Sequence, residues 1–257
     1  MVNPKMILKK ILVLGIIFWA AYPLYAGLTI TPSRAEVSLK NGESANATYN
    51  VRNDYVTPVD IEITTKDWFI LPENKDKGIN VTKWLSVSSK TFHLNPGENR
   101  DLNYKVEVSS SAQGSMVGMI SFLTSSGVNQ GISLVISVPV FVTVLGTEKK
   151  DWDIENLKIS LNGRKLQVSC DVKNTGNIHL RPAGFIEVMS GKRKVLNFNF
   201  MESRPIYPGS SRTVLANSSS EIGAGNYGFI VHMSCAGQEK IVEKNVKIKK
   251  TGEITVK

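Results

Sequence analysis

Short runs in which every second residue is apolar follow one another along most of this chain. Residues 45–51, 59–63 and 102–108 alternate apolar and polar side chains, and clusters of Gly, Pro, Asn and Ser separate such runs. This alternation places apolar side chains on one face of a β-strand and polar ones on the other. After residue 26 no convincing stripe at the helical period appears. The pattern predicts an all-β protein.

The strand and turn signals occur twice in the same order. YNVRN at 49–53 matches CDVKN at 170–174, and PGENR at 96–100 matches PGSSR at 208–212. The halves are offset by about 110–125 residues, close to the length of an immunoglobulin-like sandwich. We therefore predict two tandem immunoglobulin-like β-sandwiches. The predicted domains are residues 27–146 and 147–257.

The first 26 residues have the composition of a secretory signal peptide. Three lysines within the first ten residues precede an apolar run at 11–21, and the small residue Ala26 stands before Gly27. The run is short for a transmembrane helix, although an uncleaved anchor is the alternative interpretation. We expect residues 1–26 to be removed on export from the cytoplasm.

Export changes how charge and cysteine content are interpreted. The net charge of +9 becomes +6 without the three lysines of the signal. The remaining charges form no dense basic patch with interleaved aromatics, so a nucleic-acid partner is not expected.

Cys170 and Cys235 both fall in predicted strands of the second half. An even number of cysteines in an exported protein predicts a disulfide between them, with two buried free thiols as the alternative.

Catalytic chemistry has little support in this sequence. His93, His179 and His232 each stand alone, with no second ligand at metal-binding spacing. Neither a phosphate-binding glycine loop nor a nucleophile elbow is present, and the acidic residues do not cluster. We therefore expect no enzyme activity, no cofactor, no metal and no small-molecule substrate.

Residues 132–145 (ISLVISVPVFVTVL) carry no charge over their whole length and are rich in aliphatic side chains. An exposed strand of this kind could add to an incomplete sheet of a partner, whereas a buried one would be the last strand of the first sandwich. Pro139 lacks a backbone donor, so we expect it at a sheet edge with its nitrogen facing outward. The expected partner-facing side chains belong to the all-aliphatic phase. They are Ile132, Leu134, Ile136, Val138 and Val140.

Three segments together resemble the periplasmic pilus-assembly chaperones of the chaperone–usher systems. Residues 28–39 (LTITPSRAEVSL) look like the family's first strand, residues 84–108 like its strand, Pro-Gly turn and following strand, and residues 132–145 like its donor strand. The resemblance implies a periplasmic protein that binds secreted pilin-like subunits by strand addition and works with an outer-membrane usher. The alternative is a structural or adhesive module of a cell-envelope complex without chaperone activity.

The resemblance also implies a role for Arg34, which matches the family's arginine in the first strand. In that family the arginine and a lysine of the donor strand clamp the carboxylate at the end of the subunit, a charge-assisted pairing. The lysine has no counterpart here, because its neighbourhood reads Val138-Pro139-Val140. The residues alone allow a plainer role, in which Arg34 pairs with Glu36 or faces solvent.

Overall fold

A computed structural model describes residues 27–126, 133–201 and 203–256, and nearly all of its regular structure is β-strand. The predicted signal peptide, residues 1–26, lies outside the described residues. Within those ranges no helix is long and apolar enough to cross a membrane. The strands form two immunoglobulin-like sandwiches, so the predicted fold class is confirmed.

The first sandwich has two facing sheets. Its strands are β1 (Leu28–Thr31), β2 (Ala35–Leu39), β3 (Ser44–Asn53), β4 (Val59–Phe69), β5 (Leu85–Val87), β6 (Thr91–Leu94), β7 (Asn99–Glu107), β8 (Ser115–Ser126) and β9 (Leu134–Val144). The sheet orders are β1-β3-β7-β5 and β2-β9-β8-β4-β6. A short helix, α1 (Pro72–Asp76), and a 3₁₀ turn (Val81–Lys83) lie between β4 and β5. The chain crosses between the sheets at Pro32, which follows a cis peptide bond.

The second sandwich repeats this two-layer plan. Its strands are β10 (Trp152–Asn162), β11 (Lys165–Asn174), β12 (Ala183–Ser190), β13 (Arg193–Asn199), β14 (Ser211–Glu221), β15 (Gly225–Cys235), β16 (Gln238–Ile248) and β17 (Ile254–Val256). The sheet orders are β10-β11-β14 and β13-β12-β15-β16-β17. Among the described strands, no sheet mixes members of β1–β9 with members of β10–β17. The limits at 146 and 147 remain a prediction.

The alternation seen in the sequence defines the two cores. In β4, the side chains of Val59, Ile61 and Ile63 are buried, whereas Asp60 and Glu62 are exposed. Burying one such aliphatic side chain contributes about 1.5–3 kcal/mol. A single apolar cluster fills the first sandwich, and two clusters fill the second.

The sequence repeat corresponds to a repeated structural clamp around a buried asparagine. In the first sandwich, Asn53 donates from Nδ2 to the carbonyls of Thr57 (2.9 Å) and Leu94 (3.1 Å). Its Oδ1 accepts from the backbone N–H of Tyr55 at 2.9 Å. The side chain thereby holds the loop after β3 against the end of β6.

The second sandwich contains the same three hydrogen bonds. Asn174 donates to the carbonyls of Ile178 (2.7 Å) and Ile206 (2.9 Å) and accepts from the N–H of Gly176 at 3.0 Å. A Pro-Gly turn follows the second carbonyl in each half, with φ of 75° at Gly97 and 73° at Gly209. In both turns the amide after the glycine donates at 3.0 Å to the residue before the proline, as a type II turn requires.

The predicted disulfide is not formed in this structure. Cys170 on β11 and Cys235 on β15 are free thiols, buried in one apolar cluster between the facing sheets. Burial raises the pKa of the Cys170 thiol to about 11, with a smaller contribution from the charge of Asp171, and raises that of Cys235 to about 12. Both groups are therefore neutral at pH 7, and a neutral thiol is a poor nucleophile for disulfide exchange. The two buried thiols are the alternative that the sequence left open.

Candidate partner-binding edge and cleft

Strand β9 is paired along only part of one side. Its antiparallel register with β8 extends from Leu134, opposite Thr124, to Thr143, opposite Ser115. On its other side β2 pairs with it in parallel, but only from Val140 onward. Within the described part of the chain, residues 134–139 have no strand on that side. We call this stretch the open edge.

The backbone of the open edge presents few donors. The backbone N and O of Leu134 both lie near Thr124 Oγ1 on β8, at 3.4 and 3.3 Å. By contrast, the N–H of Leu145 donates to the carbonyl of Leu39, the last residue of β2, at 2.9 Å. Backbone groups alternate sides along a strand, so those of Val135, Ser137 and Pro139 face outward. Only the first two supply an N–H, and Pro139 has the outward orientation that the sequence predicted.

The side chains of β9 divide into two phases that the sequence could not orient. Val138 and Val140 are 2% and 0% exposed and lie in the core of the first sandwich. The expectation that they face a partner is therefore wrong, because they already fill their own core. Leu134 is 38% exposed and Ile136 is only partly buried against this core, so these two side chains stay accessible to a partner. Ile132 lies outside the described residues.

The other phase faces away from that core. Val135 is 53% exposed, and Ser137 Oγ lies 2.8 Å from Ser121 Oγ on β8. Further along, Phe141 is covered by the second sandwich, with the ring of His179 at 4.6 Å and the guanidinium of Arg181 at 4.7 Å from its ring centre. One end of β9 is thus open and the other is an interdomain contact.

Glu36 on β2 joins the two sandwiches. It accepts from Nε and Nη2 of Arg181 at 3.1 and 2.9 Å, and its second oxygen lies 3.1 Å from Nε2 of His179. The hydroxyl of Ser115 accepts from the backbone N–H of His179 at 2.7 Å and lies 3.3 Å from Nδ1. The imidazole thus has Nε2 beside the carboxylate of Glu36 and Nδ1 beside the hydroxyl of Ser115.

This arrangement perturbs the carboxyl of Glu36. Partial burial alone would raise its pKa, but the hydrogen bonds and charges of His179 and Arg181 outweigh burial, so the pKa lies below its ordinary 4.5. A carboxyl whose pKa falls on folding stabilises the folded state above its unfolded pKa. That contribution is lost as the pH falls through the folded pKa.

We therefore expect Glu36→Gln to destabilise the protein at pH 7 and to have little effect in acid. The side chain is 43% exposed, so solvent screens the ion pair and the loss should be about 1 kcal/mol. Urea unfolding between pH 3 and pH 7 measures it, with the exposed Glu62→Gln as the control. A constant gap between Glu36→Gln and the unmodified protein at every pH would contradict this prediction.

Arg34 pairs with Glu36 and stays half exposed, as the plainer interpretation expected. Its Nε lies 3.7 Å from Glu36, and its side chain is 48% exposed. It also lines a cleft of about 370 Å³ between the sandwiches, together with Arg181, Arg204 and Arg212. We call this the arginine cleft. Pro139, at the end of the open edge, lines it too.

The arginine cleft has an aromatic wall. Trp68 is 57% exposed and donates from Nε1 to the hydroxyl of Tyr207 at 3.1 Å. Tyr207 stacks on Phe69 with ring centres 4.8 Å apart, and Phe141 completes the wall. Flat aromatic faces beside guanidinium groups suit a chain that carries both apolar and anionic groups.

Comparison with known proteins finds likeness only among solved structures. No family model matches this chain, and no curated protein does. Solved pilus chaperones resemble it in fold. The resemblance noted in the sequence is thus found again, as a distant likeness.

Three of these structures illustrate the distance. The Escherichia coli chaperone DraB is 16% identical, with a TM-score of 0.41 over 85% of this chain and 97% of DraB. The Pseudomonas aeruginosa CupB2 chaperone is 14% identical, with a TM-score of 0.45 over 89% and 97%. A structure of the Salmonella enterica SafA pilin in complex with the SafB chaperone gives 14% and 0.42 over 85% and 95%.

Proposed function

We propose that this protein is a periplasmic, chaperone-like protein that binds secreted pilin-like subunits by β-strand addition, without catalysis or a cofactor. The open edge of β9 is the observation that carries the proposal. It is a stretch of strand that pairs with β8 on one side and, among the described residues, has no strand on the other, and an incomplete partner sheet can add to it.

The side chains beside the open edge support the same function. Leu134 and Ile136 belong to the same phase as the buried Val138 and Val140, but they are only partly covered. A strand added at the edge would bring its own sheet alongside, and these two side chains would then enter the partner's apolar interior. A groove in an incomplete partner sandwich accepts apolar side chains that lie two residues apart on a strand.

Arg34 supports a polar anchor at the end of the added strand. The open edge ends at Pro139, which lines the arginine cleft together with Arg34. A partner strand whose carboxyl end enters the cleft gains a charge-assisted hydrogen bond, whereas an amino end would be repelled. The direction of the partner strand is thereby fixed by charge.

The test removes one outward donor and leaves the fold unchanged. Val135→Pro deletes an N–H that faces solvent, whereas Val135→Ala shortens the same side chain and keeps the N–H. We expect the unmodified protein, purified from the periplasm, to carry a pilin-like subunit in equimolar amount, and Val135→Pro to lose it at least tenfold. Val135→Ala should retain it, with thermal midpoints within a few degrees of each other.

A second candidate function follows from the shortness of the open edge. Pro139 removes a donor, and only two outward N–H groups remain in the described stretch, so a partner ladder would be brief. This favours a structural or adhesive module of a cell-envelope complex. Absence of any pilin-like subunit from the purified protein, with Val135→Pro behaving like the unmodified chain, would support that module and contradict the chaperone.

A further inference from the structure

The arginine cleft holds more positive charge than one carboxylate can balance. Arg34 and Arg181 share the single carboxylate of Glu36. Among the described residues, Arg204 and Arg212 have no carboxylate within 4 Å of their guanidinium groups. Counted over the described residues alone, four arginines line the cleft and one carboxylate, that of Glu36, pairs with two of them, which gives 4 − 1 = +3.

The unbalanced arginines belong to the second sandwich. Arg212 lies at the start of β14, opposite Val172 of β11, and Arg204 precedes the bridge between Ile206 and Leu180. Both line the cleft from the second sandwich, whereas Arg34 extends from the first. Both sandwiches therefore contribute arginines to the cleft, and a ligand with two anionic groups can offer one to each sandwich.

We infer that Arg204 and Arg212 form a second anion subsite, which selects partner chains carrying an acidic side chain next to their carboxyl terminus. This rests on the proposed function, in which a partner strand on the open edge ends in the cleft beside Arg34. An acidic residue there supplies the second negative charge, directed at the second sandwich. A guanidinium group suits a carboxylate because its planar fork donates two parallel hydrogen bonds.

A peptide fits the cleft better than a free inorganic anion does. The exposed face of Trp68 and the rings of Phe141 and Tyr207 lie beside the arginines, and they offer contact to apolar side chains that phosphate lacks. The same cleft is continuous with the open edge through Pro139. Backbone pairing, apolar contact and charge therefore converge on one extended ligand.

Four synthetic peptides test the inference. All share one ten-residue strand of alternating apolar residues; the penultimate residue is Glu or Gln, and the end is a free acid or an amide. Titration calorimetry measures each with the full chain. With the unmodified chain, we expect a penultimate Gln in place of Glu to weaken peptide binding about tenfold, as for the loss of one charge-assisted pair. With the double variant Arg204→Gln/Arg212→Gln, the Glu and Gln peptides should bind equally well. In the Arg34→Gln variant, replacing the penultimate Glu of the peptide by Gln should still weaken binding. Replacing the free acid of the peptide by an amide should weaken binding less than it does with the unmodified chain.

A matched control removes two charges elsewhere. Arg164→Gln/Arg193→Gln changes exposed arginines at hairpins remote from the cleft, and it should bind all four peptides like the unmodified chain. Binding that ignores the penultimate residue would overturn the inference and leave the proposed function standing. Failure of all four peptides to bind would contradict both. Inorganic phosphate that binds the cleft as tightly as the best peptide would identify a small-anion site and overturn the inference.

Discussion

Asn174→Ala is expected to lower the free energy of unfolding by about 3 kcal/mol. The side chain is 1% exposed and makes three hydrogen bonds to backbone groups of Gly176, Ile178 and Ile206. Removing one partner of a buried hydrogen bond leaves the other unsatisfied, at a cost of about 1–3 kcal/mol each before relaxation and water entry. Urea unfolding measures the loss.

The repeat supplies an internal comparison. Asn53→Ala removes the equivalent clamp from the first sandwich and should cost a similar amount, whereas Asn217→Ala, at an exposed position of β14, should change stability by less than about 0.5 kcal/mol. If Asn174→Ala proved as mild as Asn217→Ala, the clamp would not stabilise the loop.

Gly114→Ala should be comparably severe, because it strains the junction between the sandwiches. Gly114 has φ of 65°, and a Cβ atom there would lie 2.4 Å from the carbonyl oxygen of Asn177. That oxygen cannot simply retreat, since it accepts from the N–H of Ser115 at 2.8 Å. We expect a loss of about 2–4 kcal/mol, or a separation of the sandwiches that small-angle scattering would record as a larger radius of gyration.

Gly146→Ala separates backbone strain from crowding. Gly146 also has a positive φ, of 85°, but no atom lies within 4 Å of its added Cβ. It should cost about 1 kcal/mol and leave the radius of gyration unchanged. Equal effects at the two glycines would show that contact with Asn177 contributes nothing.

The fold was predictable where one face of a strand is polar. The apolar phase of β4 is its buried face, and the repeated Asn and Pro-Gly signals mark the same clamp in both halves. The orientation of β9 was not predictable, because apolar residues occupy both of its phases. One phase fills the core, and the other, at Phe141, packs on the second sandwich.

The site was only partly predictable because its members are far apart in the sequence. Arg34 was found by resemblance, but Arg181, Arg204 and Arg212 carry no local signal and reach the cleft only through the packing of the sandwiches. His179 looked isolated in the sequence, yet its partner Glu36 lies 143 positions away. Periodicity and spacing report on neighbours along the chain, and this site is built from long-range contacts.

The partial cover of β9 by β2 also limits what copies of this protein can do to one another. Two molecules that paired antiparallel through residues 134–139 would each consume the only uncovered part of β9 in the described chain. Such a pairing is self-complementary and closes on itself as a two-fold dimer. A strand uncovered along its whole length would template continued stacking instead. Any self-association through this stretch of β9 would therefore stop at two copies, and it would compete with a partner strand for the same edge.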